Sequence, residues 1–429
     1  MNRFPHCILL SAAIFLFAWS ASGQDAKPVY QGQNPIRSVD TSSRPIERQT
    51  RQVFEFEEDG VFFSNDFDGA RLNGIKRTGE NTFTITITPE NFPINMSPWY
   101  AFQVWSEQDE EVAVHLEYPN PAYARHRYSP WISMDGQSWR LLEDERIVKG
   151  EMIGRDAFRL RPKHIVMTLD IDEAPMWVSA QELQTSSHVF AWMDQLAEQN
   201  GIETEAFGKS VEGRPLRILK MGNTDSQQLI LVISRQHPPE VTGYLAMKAF
   251  VEKLADGSDL STKFRQQYGI YVAPLMNPDG VDHGHWRHNV GGIDLNRDWL
   301  DFNQPETKAL SNYLKELERD EGAMFLFGID FHSTWDDIYY PNARTFTDTH
   351  RTGLVWDWLD RIQDAIPDYK PNILPSTSMD QPVTSKSYFY ASHKMESITY
   401  EIGDNTPREF IALKGEVGAV ELMKLLLED

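Results

Sequence analysis

The sequence predicts an α/β protein in which an N-terminal antiparallel β-sandwich precedes an α/β/α domain built on a mixed, mainly parallel sheet. Three observations lead there. The chain has 429 residues, too many for one ordinary core, and its 41% hydrophobic content can fill two. From Val53 to about Pro175 apolar and polar residues alternate at period two, with no helical runs between the strands. Beyond that point strand-like apolar runs alternate with helical ones, the pattern of a largely parallel sheet covered by helices.

Residues 1–23 have the layout of a secretory signal: a cation at Arg3, an apolar run from Cys7 to Trp19 and small residues before Gln24. That run is short for a bilayer span, and no later segment approaches the required length. The mature chain is therefore expected to be exported, periplasmic or secreted, with no integral membrane segment. The only cysteine, Cys7, leaves with the signal. Disulfides and thiolate metal sites leave with it, so histidines and carboxylates remain as the strong metal ligands. The formal charge of -22, or -23 once Arg3 is lost (40 minus 63), argues against nucleic acid or an anionic membrane as a partner.

Residues 24–52 are polar, with scattered Gly, Pro, Ser and Arg and no period, and predict a flexible lead-in. Residues 53–175 predict the sandwich. "NTFTITITP" alternates threonine with Phe83, Ile85 and Ile87, and "WYAFQVW", "EVAVHLEY" and "HIVMTLDI" continue the pattern, while "PWISMDGQSWRLL" reads as a hairpin turning at Asp135 and Gly136. Residues 176–429 predict the second domain. After the helical "SSHVFAWMDQLAEQ", the strands "PLRILKM", "LILVIS", "YGIYVAPLMN", "MFLFGIDFH" and "SITYEI" alternate with helical runs such as "GYLAMKAFVEKLA" and "TKALSNYLKELE".

Several of these strands end on residues that packing alone does not require. "LILVIS" is followed by His237, two prolines and Glu240; "MFLFGIDFH" ends on His332; "SITYEI" carries Glu401. His237 with Glu240 alone could be a capped helix start, with the carboxylate suiting the helix dipole. Together with His332 they form a two-histidine, one-glutamate set known in catalytic zinc sites, in which the fourth position is left to water.

"HPPE", "NPDGVDHGHWRHNVGGIDLNRDW", "DFH" and "TYEIG", in this order, resemble the zinc metallocarboxypeptidases. The nine-residue step from Arg287 to Asn296 and the β-rich region in front resemble the cytosolic carboxypeptidase-like, or deglutamylase-like, branch. The resemblance covers about Val53 to the end. It implies one Zn2+ per chain on His237, Glu240 and His332, and Glu401 as general base and proton shuttle. Arg287 would polarise the scissile carbonyl, Asn296 and Arg297 would hold the substrate's terminal carboxylate, and Asp294 would orient a zinc-bound histidine. His283, His285 and His288 are not in the family's ligand set.

In this family the residue fifteen positions before the catalytic glutamate lies at the floor of the side-chain pocket, which here is Lys386. A cation there implies a preference for an acidic C-terminal residue. Seven residues before that position many relatives place a mobile tyrosine. Met379 stands there, with Tyr388 and Tyr390 nearby. The implied activity is hydrolysis of the C-terminal peptide bond of peptides with a free terminal carboxylate. Two alternatives use the same residues: a zinc amidase or deacylase acting on cell-wall peptides or N-acyl amino acids, and an inactive metal-containing binding protein.

Overall fold

The computed structural model describes residues 36–120, 125–154 and 160–428; the expected signal and the first part of the lead-in lie outside the described residues. Two sheets form the N-terminal part. One runs in the order β1 (Val53–Phe56), β2 (Val61–Ser64), β5 (Ala101–Ser106), β13 (Met176–Ser179), β7 (Trp131–Ser133) and β8 (Arg140–Leu141). The other runs β3 (Gly74–Gly79), β4 (Thr82–Thr86), β6 (Glu110–Glu117), β12 (Ile165–Ile171) and β9 (Ile147–Lys149), and β10 (Met152–Ile153) with β11 (Arg161–Pro162) make a small ribbon. The period-two pattern explains the packing. Along β4 the threonines face outward while Phe83 and Ile85 are buried, meeting Phe63, Val104, Leu116 and Val178 in one core.

Three details differ from the sequence expectation. β4 pairs with β6 in parallel, because the intervening β5 crosses to the other sheet and the chain returns in its original direction. Met176–Ser179 pairs with Ala101–Ser106, so the sandwich extends past residue 175. The hairpin joining β7 and β8 has a longer loop than two residues: the Asp135 carboxylate accepts from the amides of Gln137 and Ser138, and Gly136 takes a positive φ of 69°.

The second part is a seven-stranded sheet ordered β14 (Glu203–Lys209), β15 (Pro215–Gly222), β17 (Gly269–Ala273), β16 (Gln228–Ser234), β18 (Met324–Thr334), β20 (Glu396–Gly403) and β19 (Ile338–Pro341). The four strands β17, β16, β18 and β20 are mutually parallel, and the remaining pairings are antiparallel. Strands buried on both faces need side chains of one kind throughout, which is why β16 reads as an unbroken apolar run. Its Ile230 and Val232 pack under α1 (Ser186–Asn200), α2 (Val241–Ala255), α3 (Asp259–Gln267), α6 (Leu354–Ala365) and α8 (Arg408–Glu428). Its Leu229, Leu231 and Ile233 face α5 (Pro305–Glu321) and α7 (Ser385–His393), and the short α4 (Pro278–Asp282) follows β17. The parallel strands deliver their carboxyl ends to one edge of this three-layer stack. Among the described residues no helix is long and apolar enough to cross a membrane.

The two parts share buried contacts. Val241 and Trp286 of the second part belong to the sandwich core. Arg127 from the sandwich donates to both carboxylate oxygens of Asp404, 2.7 and 3.0 Å away, and to Ser97 at 2.7 Å, all out of solvent. The segment from Ile36 to Gln52 contributes as well. Val39 and Thr41 are buried, Thr41 bonds Asp298, and the Arg44 amide donates to Gly291 at 2.8 Å. This segment is thus a strap whose first part bonds Asp298 and Gly291 of the second domain and whose last part bonds the sandwich, Glu47 to the Glu90 carbonyl and Gln52 to Asn65.

α2 approaches β18 so closely that a Cβ on Gly243 would lie 2.3 Å from the backbone oxygen of His332. Helix propensity alone would favour alanine by about 1 kcal/mol. A main-chain carbonyl cannot swing away as a side chain can, so the clash decides the sign. Gly243→Ala should destabilise the protein by about 1–3 kcal/mol in urea unfolding; equal or greater stability would show that the helix and strand can separate.

Candidate active site

β16 ends in a turn that starts with Arg235 in the left-handed region, φ 54°, and continues through Gln236 to His237. The Arg235 guanidinium returns to the Pro238 carbonyl at 2.7 Å, and two successive prolines stiffen the path to α2. Glu240 occupies the N-cap position of α2 but makes no side-chain cap. Its carboxylate turns instead to the two imidazoles, with Oε1 2.8 Å from His237 Nδ1 and Oε2 2.7 Å from His332 Nδ1. The capped-helix reading of Glu240 therefore fails on geometry.

Each imidazole is held from behind by a second carboxylate. His237 Nε2 lies 2.9 Å from Asp294, and His332 Nε2 lies 2.7 Å from Asp330. A ring that donates its Nε2 hydrogen to an aspartate keeps the Nδ1 lone pair for the centre. His237, Glu240 and His332 each offer a ligand atom, all within 4.8 Å of one another, and all three residues are buried. This donor set, two imidazoles and a carboxylate without sulfur, fits zinc. Burial opposes ionisation of Glu240, but the imidazoles outweigh it and hold the carboxyl below its usual range. For Asp294, Arg287 and His237 likewise overcome the cost of burial.

Arg287, Asn296, Arg297, Lys386 and Glu401 line one cleft of about 960 Å³ with His237 and Glu240, whereas His332 and Asp294 are not part of its lining. Glu401 stands opposite His332 in the register of β18 and β20, and its Oε2 is buried without a hydrogen-bond partner. Burial raises its carboxyl above the ordinary range, with Glu240 adding to the rise against the histidines and Arg287. Arg287 donates Nε to Asp294 at 2.8 Å, so one carboxylate braces both the arginine and a histidine of the triad. Asp294 also caps the turn Leu295–Arg297, which presents Asn296 and Arg297. Arg297 donates to the Asn296 carbonyl at 2.7 Å, and the Asn296 side chain accepts from the Ser385 amide at 3.0 Å.

Lys386 sits in the first turn of α7, buried, with its ammonium on the Ser376 hydroxyl. Among the described residues no carboxylate pairs with it. Burial lowers its pKa to about 7.

Sequence reasoning missed several residues of this region. Asp330 lies two positions before His332 on the same strand, hence on the same face, and that spacing was a readable signal. Arg127, Asn95 and Ser97 reach the cleft from the sandwich, and Trp335 and Tyr340 join them. No local pattern marks those. Neither nearby tyrosine replaces the one missing at Met379: Tyr388 is buried with its hydroxyl on Ser311 at 2.8 Å, and Tyr390 packs on Phe346 outside the cleft lining. His285 and His288 are buried in the loop before Asp294, His283 bonds Glu212, and none joins the triad.

Comparison with known proteins agrees with this geometry. The zinc carboxypeptidase (peptidase M14) family model matches residues 189–417. Cytosolic carboxypeptidase 6 of Caenorhabditis elegans is 21% identical over 296 residues, covering 64% of this chain and 62% of its own length. An uncharacterized protein of Zymomonas mobilis is 26% identical over 263 residues, 59% of this chain and 64% of its own. The chain thus spans less than two thirds of these curated relatives. The crystal structure of a metallo-carboxypeptidase from Burkholderia cenocepacia superposes with a TM-score of 0.69 at 19% identity, covering 86% of this chain and 99% of that one. One from Pseudomonas aeruginosa, in complex with (2-guanidinoethylmercapto)succinic acid, gives 0.65 at 20% identity, covering 85% and 99%. These two likenesses extend the shared fold over the sandwich as well as the mixed sheet. With the family model matching more than half of the sequence, the chain belongs to the zinc carboxypeptidase family.

Proposed function

We propose that this protein is a zinc-dependent carboxypeptidase that removes single residues from the free C-terminus of peptides, with a preference for acidic ones. The observation that carries the reading is one cleft lined by His237, Glu240, Glu401 and the cations Arg287, Arg297 and Lys386, with His332 held against Glu240. Export through the signal expected at residues 1–23 belongs to the same reading and directs the activity to periplasmic or extracellular peptides.

A zinc ion on His237, Glu240 and His332 would polarise the scissile carbonyl and acidify water. The chain's own residues supply the rest. Arg297 offers a planar guanidinium to the terminal carboxylate, and Asn296 beside it adds an amide, which separates end-trimming from internal cleavage. Arg287, braced by Asp294, donates toward the carbonyl oxygen as negative charge develops there. Glu401, with one oxygen unengaged, accepts the proton of the attacking water and passes it to the departing amine. Lys386 meets an acidic side chain at the pocket floor, where exchanging a lone buried ammonium for an ion pair rewards that substrate over an apolar one.

Mass spectrometry of peptides that differ only in their last residue, free or amidated, tests the whole reading. Release of single residues from free ends only, fastest for Glu or Asp, is expected; cleavage of amidated ends at an equal rate would favour an amidase. Glu401→Gln should lower kcat by about 10²–10⁴-fold while retaining stoichiometric zinc. Activity near wild type would remove Glu401 from the role of base.

The pH dependence of specificity follows from Lys386. Its ammonium is charged below about 7 and neutral above it in the free cleft. The ratio of kcat/KM for a Glu-ending to an Ala-ending peptide should therefore fall as pH rises through that value. Lys386→Met should reduce the ratio by about 10- to 100-fold at low pH, matching the ~1.5–3 kcal/mol of a charged hydrogen bond, and should flatten its pH profile. A variant that keeps both the preference and the profile would place acidic recognition elsewhere.

A further inference from the structure

Glu90 belongs to the sandwich, four residues past the end of β4, yet it is fully buried against the loop that carries Arg287. Its Oε2 accepts from the Trp286 amide at 2.8 Å, and its Oε1 accepts from the amides of Arg287 at 3.0 Å and His288 at 2.6 Å. Three consecutive backbone donors thus converge on one carboxylate. Asn91 extends the clasp, with Oδ1 2.6 Å from His288 Nδ1 and Nδ2 donating to the Gly292 carbonyl at 3.1 Å. Trp286 is buried in the sandwich core against Tyr118, so the loop is gripped on both sides of Arg287.

The charge state of this clasp is defined by its surroundings. Burial opposes ionisation of Glu90, while the buried Arg71 and the His288 amide favour its charged form. Burial holds His285 and His288 down to about 4, so at neutral pH they carry no charge. The partners that remain for the carboxylate are the three amides and the buried Arg71, which donates Nε to the Thr88 carbonyl at 2.8 Å. A packing role alone would be met by an apolar side chain. An ionised carboxylate taking three successive amides fixes the direction of the main chain through them, and hence the point from which the Arg287 side chain departs.

We infer that Glu90 is a positioning residue: the sandwich sets the backbone of the 286–288 loop so that Arg287, held at its other end by Asp294, meets the reacting carbonyl. This rests on the reading of Arg287 as the oxyanion-stabilising group. The sandwich then contributes to catalysis through a clasp that touches neither substrate nor metal.

A double-mutant cycle in the full-length zinc-loaded protein tests it, using Glu90→Gln, Arg287→Ala and the pair, with kcat and KM measured separately. Glu90→Gln keeps size but loses one acceptor and the charge. It should lower kcat by on the order of 10- to 100-fold, as misplacement of a reacting group by an ångström does, with KM changed less than about twofold. In the Arg287→Ala background the same substitution should cost less than about twofold, because its effect passes through the missing side chain. Glu90→Asp, which keeps the charge and shortens the reach, should show the same coupling and serves if the glutamine variant does not fold. Multiplication of the two losses, or an unchanged kcat in a Glu90 variant, would overturn the inference and leave Arg287 in place. An Arg287→Ala enzyme as active as wild type would overturn the reading of Arg287, and the inference with it.

Discussion

The site depends on two imidazoles each held between two carboxylates. Glu240 faces Nδ1 of both His237 and His332, and Asp294 and Asp330 hold their Nε2 atoms. This arrangement concentrates negative charge in a buried place. Glu240, Asp294 and Asp330 lie within hydrogen-bond reach of the rings, and Glu401 sits one strand away. Arg287 offsets Asp294 directly, whereas Asp330 is met by the neutral groups Gln236 and Ser385. Buried charge of one sign is costly unless compensated, and a divalent cation among these donors is the compensation that fits.

The fold exists to bring those groups together from afar. His237 and Asp330 are separated by two crossovers, out to β17 and back to β18, and a parallel sheet is what places the ends of β16, β18 and β20 side by side. Burial of the sheet on both faces fixes the register of those ends, because a slip would move polar residues into the helix layers. The sandwich closes the remaining side. Arg127 reaches Asp404 beyond β20, the strap from Ile36 covers the Asp298 region, and Glu90 grips the arginine loop. The cleft is therefore a junction of both parts, although His237, Glu240, Arg287 and Glu401 all come from one.

Much of this was legible in the sequence, for identifiable reasons. Polar residues that terminate strongly apolar strands, such as His237, His332 and Glu401, stand out because nothing in packing calls for them. The strands themselves were clear because β16 is apolar from Leu229 to Ile233 and β18 from Met324 to Ile329, and β4 and β12 alternate. What escaped was non-local. Asp330 carried a usable i, i+2 relation to His332, but Glu90 and Arg127 act across nearly 200 residues or more, and no pattern near them marks a partner. The strap from Ile36 to Gln52 lacks any period because its partners are scattered side chains and carbonyls, of the second domain at Thr41 and Arg44 and of the sandwich from Glu47 to Gln52, rather than a neighbouring strand. The short Met176–Ser179 was assigned past the boundary for a similar reason: its alternation is brief, and pairing with Ala101–Ser106 is what makes it a strand.

The most direct test of the carboxylate–imidazole–carboxylate arrangement is the zinc affinity of the full chain, measured by competition with a chelator of known strength, for wild type and Asp330→Asn. The substitution preserves shape but weakens the acceptor behind His332. If that carboxylate orients the ring for the metal, affinity should fall by about 10- to 100-fold with the fold intact by circular dichroism. Unchanged affinity would contradict the account, showing that Asp330 packs beside the histidine without preparing it for zinc.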